Sequence, residues 1–248
     1  MSGASDNVKI NEQPTGACIP GLIAVVGCDG TGKSTLTADL VKNLKTHYLT
    51  ERRYLGLVSG EEGDKIKRLP LIGVWLERRL AAKSSKTQSM QTRSPALWAA
   101  LIMYGFSLRR RANLRKVERL AKSGVMVISD RYPQAEIAGF HYDGPGIGVE
   151  RVKGWLMTGL ARREQRLYQE MAYYRPQLVI RLDIDIDTAF SRKPDHDYEE
   201  LRDKISVMDK INYNHAAVLE VDSRAPYNDV LQKSLNAILA IAPQRQSP

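Results

Sequence analysis

Cysteine is nearly absent: the 248-residue chain carries only Cys18 and Cys28. Two thiols cannot staple a chain of this length and do not make a metal-ligand set, so a disulfide scaffold and a zinc ribbon are excluded. A reduced, cytoplasmic compartment is the expectation. Long hydrophobic runs are missing too. The longest, Ala96 to Phe106, has 11 residues, too short to span a bilayer as a helix and suited to a buried one. Residues 1–20 hold no apolar core of the kind a secretory signal needs. The four histidines, His47, His141, His196 and His215, stand at no metal-ligand spacing and are expected to be structural or superficial. There is no internal repeat and no long linker.

What is present is the balance of a soluble globular protein, 43% hydrophobic and 26% charged. That excludes a disordered chain, a collagen or a coiled-coil rod, and permits one large α/β domain or two small ones. Lys+Arg exceeds Asp+Glu by 37 − 28, a net charge of +9. The excess is spread along the chain, without a zinc-finger spacing or an RNA-recognition signature. It fits an enzyme that binds phosphates better than a nucleic-acid-binding protein.

Residues 1–19 are polar and read as a mobile tail, and 243–248 as a second one. Between them, residues 20–242 alternate short apolar runs with amphipathic stretches, the pattern of βαβ units around a parallel sheet covered on both faces. Strands are expected at Leu22–Val26, Tyr54–Ser59, Val125–Ser129, Leu178–Leu182 and Val218–Val221. Helices are expected from Ser34, at Leu71–Ala82, Pro95–Lys122, Val152–Tyr174, Thr188–Arg192 and Tyr198–Tyr213, and from Pro226. Pro176 is read as the stop of the fourth of these.

One motif dominates. Gly27-Cys28-Asp29-Gly30-Thr31-Gly32-Lys33-Ser34 matches G-x-x-x-x-G-K-[ST] in full, after an apolar strand and before an amphipathic helix. Average residue usage gives such a match by chance in roughly one chain of this length in a hundred. Glycines let backbone N–H groups converge on phosphate oxygens, and the helix N-terminus adds partial positive charge. Lys33 can reach the β- and γ-phosphates of ATP, and the Ser34 hydroxyl can ligate Mg²⁺. The alternative is a glycine-rich turn with a capping serine.

A second element ends a strand in an acid, Ile128-Ser129-Asp130-Arg131-Tyr132. A carboxylate there faces the ligand crevice of an open α/β sheet and can serve Mg²⁺ or the attacking hydroxyl. Arg131 can fork onto phosphate. A turn-capping acid beside a surface arginine is the alternative. Arg192-Lys193-Pro194, between two helical pieces, suits a short basic lid at about 191–197. Arg109-Arg110-Arg111 with Arg115 and Lys116, and Arg162, Arg163 and Arg166, form basic helical runs that either meet an anionic substrate or face solvent. Asp143-Gly144-Pro145-Gly146 reads as a turn.

With these residues in view, the chain resembles the thymidylate kinase-like branch of the P-loop nucleoside-monophosphate kinases. The likeness runs over most of residues 20–242. It rests on the acid inside the loop, Asp29, on the DRY element Asp130-Arg131-Tyr132, and on Tyr174-Arg175-Pro176-Gln177-Leu178-Val179-Ile180-Arg181-Leu182-Asp183. The basic lid and Leu219-Glu220-Val221-Asp222-Ser223-Arg224 complete it.

The resemblance implies a P-loop NTPase fold with a five-stranded parallel sheet, and a phosphotransferase using ATP and Mg²⁺. Such kinases are commonly homodimers. Gly27, Gly30, Thr31, Gly32, Lys33, Ser34, Thr35 and Ser223 would hold ATP, with metal at Ser34 and Asp130. Asp29 and Arg131 would meet the acceptor. Lys33, Asp130 and Arg192 would be catalytic, Arg192 because the loop position after the acid is Gly30 and the lid must then supply the arginine.

The departures lie on the acceptor side. After the second strand stands Val58-Ser59-Gly60-Glu61-Glu62-Gly63, without the family's arginine or proline, and Ala99-Ala100-Leu101-Ile102-Met103 lacks the family's charged element. The acceptor is thus expected to be a nucleotide or nucleoside other than dTMP. Another small molecule such as a sugar, a nucleotide-binding regulator and a pseudoenzyme are the alternatives. No nucleic-acid or membrane partner is expected.

Overall fold

The computed structural model describes residues 16–57 and 97–242. Five strands form one sheet: β1 (Ala17–Gly27), β2 (Thr50–Tyr54), β3 (Met126–Asp130), β4 (Tyr174–Asp183) and β5 (Val218–Asp222). Their order is β2-β3-β1-β4-β5, and every pairing is parallel. The helices are α1 (Lys33–Leu44), α2 (Leu97–Lys122), α3 (Trp155–Tyr173), α4 (Ile186–Arg192), α5 (Tyr198–Met208) and α6 (Tyr227–Ile241). This is the α/β fold of a P-loop NTPase.

The period of two along a strand explains the layers. On β1, Ile23 and Val25 turn to one face and pack with Leu36 and Leu40 of α1 and Leu235 and Ile238 of α6. Leu22, Ala24 and Val26 turn to the other, against Leu114 and Val117 of α2 and Leu167 and Met171 of α3. With both faces covered, the central strands need continuous apolar runs. Burying each such side chain stabilises the fold by about 1.5–3 kcal/mol, and a charge at Val25 would break the layer it forms with α1 and α6. Because β1 lies between β3 and β4, the loops after all three open into one crevice.

Four expectations shift. The second strand is Thr50–Tyr54, earlier than Tyr54–Ser59. It is an edge strand on which only Thr50 is buried, so it carries no continuous apolar signal. β1 begins at Ala17, because Ala17, Cys18 and Ile19 pair with Tyr174, Arg175 and Pro176. Pro176 therefore sits inside a strand rather than ending a helix. Its missing N–H falls where the register breaks between Ile19 and Ile23, a position at which proline is tolerated. α5 stops at Met208 instead of Tyr213. Tyr213, Asn214 and His215 all have left-handed backbones (φ 49, 55 and 57), and Glu136 accepts hydrogen bonds from the N–H groups of Asn212 and Asn214 at 2.7 and 3.2 Å. The expected helix at Leu71–Ala82, the stretch Val58–Gly63 and the last residues from 243 lie outside the described residues. No helix among the described residues is long and apolar enough to cross a membrane.

Candidate active site

The loop after β1 is shaped by positions that tolerate only glycine. A Cβ on Gly27 would stand 2.7 Å from the carbonyl oxygen of Leu182 at the end of β4. Gly30 has φ +88, and a Cβ there would meet the Ala189 carbonyl of α4 at 3.2 Å. A side chain at position 30 would thus be strained by the left-handed backbone and would crowd α4, the helix that carries Arg192. Gly32, also left-handed, precedes the first turn of α1, whose free N–H groups favour an anion.

Within this loop Thr31 Oγ1 and Lys33 Nζ donate to the Cys28 carbonyl at 2.9 and 2.6 Å. Lys33 is buried. Burial first, then the Arg131 guanidinium, lowers its pKa to about 8. Ser34 Oγ donates to Asp130 Oδ2 at 2.8 Å, and Arg52 Nη2 of β2 reaches the same oxygen at 3.1 Å. Asp130 Oδ1 is buried with no hydrogen-bond partner among the described residues. A hydroxyl and a carboxylate with one free buried oxygen are hard donors of the kind Mg²⁺ takes, so these residues fit that ion. Among the described residues no group of three or more His, Cys, Asp and Glu could hold a metal by itself.

Arg192, the last residue of α4, bridges two loops. Its Nη1 donates to the Gly30 carbonyl at 3.3 Å and its Nη2 to the Ser223 carbonyl at 3.1 Å. Ser223 directs its hydroxyl to the Asp183 carbonyl at 2.7 Å, which ties the end of β5 to the end of β4. Thr35 is exposed on α1.

Behind the phosphate loop, five charges of alternating sign form a ladder. Lys204 Nζ of α5 donates to Asp29 Oδ2 at 2.6 Å, and Arg131 Nη2 reaches Asp29 Oδ1 at 3.0 Å. Arg131 Nη1 lies 3.4 Å from Asp143 Oδ2, and Arg110 Nη2 of α2 lies 2.7 Å from Asp143 Oδ1. The Arg110 side chain is fully buried and also stands 5.8 Å from the centre of the Tyr168 ring. Burial alone would push both carboxyls up, but the cations outweigh it and hold Asp29 and Asp143 below the usual carboxylate range. Burial would lower Arg131, and Asp143 with Asp29 overrides it, raising the arginine above its ordinary value. Arg131 and Asp143 both adopt left-handed backbones (φ 71 and 61), strained for residues with a side chain. Tyr132, the third member of DRY, is core: it is 1% exposed and its hydroxyl meets the Tyr174 carbonyl.

The sequence-predicted residues, Thr35 apart, therefore gather by contact around the phosphate loop. Lys33, Ser34 and Asp130 form one cluster, Arg192 and Ser223 a second, and Asp29 and Arg131 a third. Sequence reasoning missed Arg52, Lys204 and Asp143, and it read Arg110 as part of a run that either faces solvent or meets an anionic substrate, whereas its side chain is buried against Asp143. The helical period held the clue for Arg110: it lies three residues after Ser107 and four before Leu114, both buried. Asp143 belongs to the ladder, although the sequence marks it only as a turn. Arg162, Arg163 and Arg166 are exposed on α3, and His141 pairs with Glu200 at 3.0 Å.

An all-parallel five-stranded sheet with a glycine-rich loop joining its central strand to a helix defines a P-loop NTPase. No family model matches the chain. Two curated proteins of Escherichia coli K12 do resemble it. The chain is 71% identical over 238 residues to the uncharacterized ATP-binding protein YghR, covering 96% of this chain and 94% of that one. It is 44% identical over 220 residues to the uncharacterized ATP-binding protein YghS, covering 88% and 92%. The chain belongs to the family of these ATP-binding proteins.

Proposed function

We propose that the protein is an ATP-dependent phosphotransferase that moves the γ-phosphoryl group of ATP to a small-molecule acceptor of nucleotide or nucleoside type. The observation that carries this is the convergence on one loop of Lys33, the Ser34–Asp130 pair and Arg192. The names of the 71% and 44% identical relatives support the nucleotide as ATP.

Each residue has a task. Lys33 leaves the Cys28 carbonyl and takes the β/γ-phosphate oxygens as a point charge, beside loop N–H groups at the start of α1. Arg192 already rests on the Gly30 carbonyl and needs little rearrangement to meet charge that develops on the transferring group. Asp130 accepts the proton of the attacking hydroxyl or holds the metal's water shell. Mg²⁺, held by Ser34 and Asp130, would neutralise charge on the β- and γ-oxygens. Asp29 and Arg131, fixed by Lys204 and Asp143, face the acceptor. The attacking oxygen forms its bond to γ-phosphorus as the bond to the β,γ-bridging oxygen breaks, and ADP leaves.

The test is ADP release from Mg²⁺-ATP by the purified protein with nucleosides, nucleotides and sugars as acceptors. Acceptor-dependent release is expected, with dTMP at least ~100-fold below the best acceptor, about 2.7 kcal/mol of transition-state stabilisation. Tight ATP binding without release for any acceptor would favour a nucleotide-binding regulator, and dTMP outperforming all others would restore a thymidylate kinase.

A further inference from the structure

The hairpin of α4 and α5 meets three successive residues of the phosphate loop. Cys28 packs with Ala189 of α4 and Leu201 of α5. Gly30 gives its carbonyl to Arg192 at 3.3 Å. Between them, Asp29 Oδ2 accepts from Lys204 Nζ at 2.6 Å. Lys204 lies three residues after Leu201, on the same face of α5, and is only 5% exposed. Lysine is seldom buried this far without a partner, and among the described residues Asp29 is the one acid it pairs with. Arg131 Nη2 takes the other oxygen, Oδ1, at 3.0 Å. One cation thus holds each oxygen of Asp29, the first from α5 and the second from the residue after β3.

An ionised carboxylate has about four lone-pair sites, two on each oxygen. Lys204 and Arg131 use one on each, and 28% of the side chain stays open. What remains is one accepting site on each oxygen, side by side, in a group held from turning. That pattern matches two hydroxyls on adjacent carbons, which donate in parallel as the arms of an arginine fork do.

We propose that Lys204 is a positioning residue that sets acceptor choice through Asp29, and that the acceptor carries a vicinal diol such as the 2′- and 3′-hydroxyls of ribose. The proposal deepens the phosphotransferase reading and rests on it, with Asp29 facing the acceptor. Lys204 itself does not touch the diol. Without it, Asp29 keeps only Arg131, which Asp143 shares at 3.4 Å, and the carboxylate is free to turn about its Cβ–Cγ bond. A deoxy acceptor leaves one accepting site unmet, but that oxygen keeps its cation. The discrimination is therefore that of one charge-assisted hydrogen bond, about 10-fold, rather than the roughly 10⁴-fold of a site whose polar group is stranded.

The test compares ADP release for the four ribonucleosides, their 5′-monophosphates and free D-ribose, each beside its 2′-deoxy counterpart. Every one of these ribo compounds carries the diol, so the same panel says which of them supplies it. The best ribo acceptor should exceed its deoxy counterpart about 10-fold in kcat/KM. Lys204→Met should raise the KM of that ribo acceptor about 10-fold and bring the ribo-to-deoxy ratio toward one, while the KM for ATP stays unchanged. Lys204→Arg, which keeps the cation, should keep the ratio. Lys204→Gln retains a donor toward Asp29 and should fall between, and it carries the test if the methionine variant does not fold. In an Asp29→Asn background, Lys204→Met should change the ratio no further. A ratio unmoved by Lys204→Met, or lowered by it equally in both backgrounds, would overturn the positioning role. A deoxy compound matching or beating its ribo counterpart in the wild-type protein would overturn the diol.

A binding measurement separates this proposal from the transfer reading. The protein is saturated with Mg²⁺ and a non-hydrolysable ATP analogue, and the same compounds are titrated in while the thermal midpoint is followed. A rise that is larger for the ribo member of a pair, and that loses this difference in Lys204→Met, is expected. Seen without any ADP release, it would remove phosphotransfer and leave Lys204 and Asp29 as a diol-reading site. ADP release with an acceptor that shows no such difference would keep phosphotransfer and overturn the present inference.

Discussion

Around the phosphate loop, position is fixed by backbone; on the far side of Asp130, it is fixed by charged side chains. Gly27 leaves no room for a Cβ against Leu182 and Gly30 leaves little against Ala189, and among the described residues Arg192 donates to the Gly30 and Ser223 carbonyls. The region from Lys204 to Arg110 is held instead by four ion pairs between segments far apart in sequence. A backbone-built pocket suits a constant ligand such as a triphosphate, whose shape does not change from one enzyme to the next. A pocket built from side chains can be re-specified by a few substitutions. The same contrast predicts different failures: the first region should lose rate when altered, and the second should lose stability or acceptor choice.

The sharpest break is Lys33→Ala, since no other group replaces its charge at the β/γ bridge. Transfer should fall to background in an ADP-release assay while the thermal midpoint stays or rises, because a buried charge is removed. Near wild-type turnover would remove Lys33 from the site. Next comes Arg192→Ala, which should lower kcat on the order of 10³-fold with far less effect on ATP affinity. Equal effects on both in steady-state kinetics and calorimetry would make Arg192 a loop tether only.

For the charge-built region, Arg110→Met should cost about 3 kcal/mol in urea denaturation, as half of a buried pair is left behind. The ATP affinity of the folded protein should hardly change. A fall in affinity with stability preserved would erase the distinction between the regions.

The smallest effect is a proton. Lys33 is lowered from 10.5 to about 8, so the unfolded chain binds more protons than the folded one between those values. The folded state carries the full penalty of the buried charge below about pH 8, and stability should rise with pH from there toward 10.5. Phosphate oxygens favour the charged amine, so ATP binding near pH 9 should take up a fraction of a proton. Calorimetry in buffers of different ionisation enthalpy measures this directly, and uptake should be absent in Lys33→Ala. Persistence there would assign the proton to another group.

Much of this molecule is legible in its residues. The parallel sheet follows from apolar runs that must be buried on both faces, and the loop follows from Gly27, Gly30, Gly32, Lys33 and Ser34, because backbone conformation is a local property that glycine spacing records. Asp130 was found for the same reason: it ends an apolar strand, and strand ends face the crevice. The edge strand Thr50–Tyr54 was placed late, since half-exposed strands need no continuous apolar run. The partners of Asp29 could not be read at all. Lys204 lies 175 residues away along the chain, and a charge on an amphipathic helix gives the same local pattern whether it meets water or an acid. Only the tertiary structure decided which acid each of the buried basic residues meets, because Coulombic interaction depends on distance in space and on burial, and neither is written in sequence spacing.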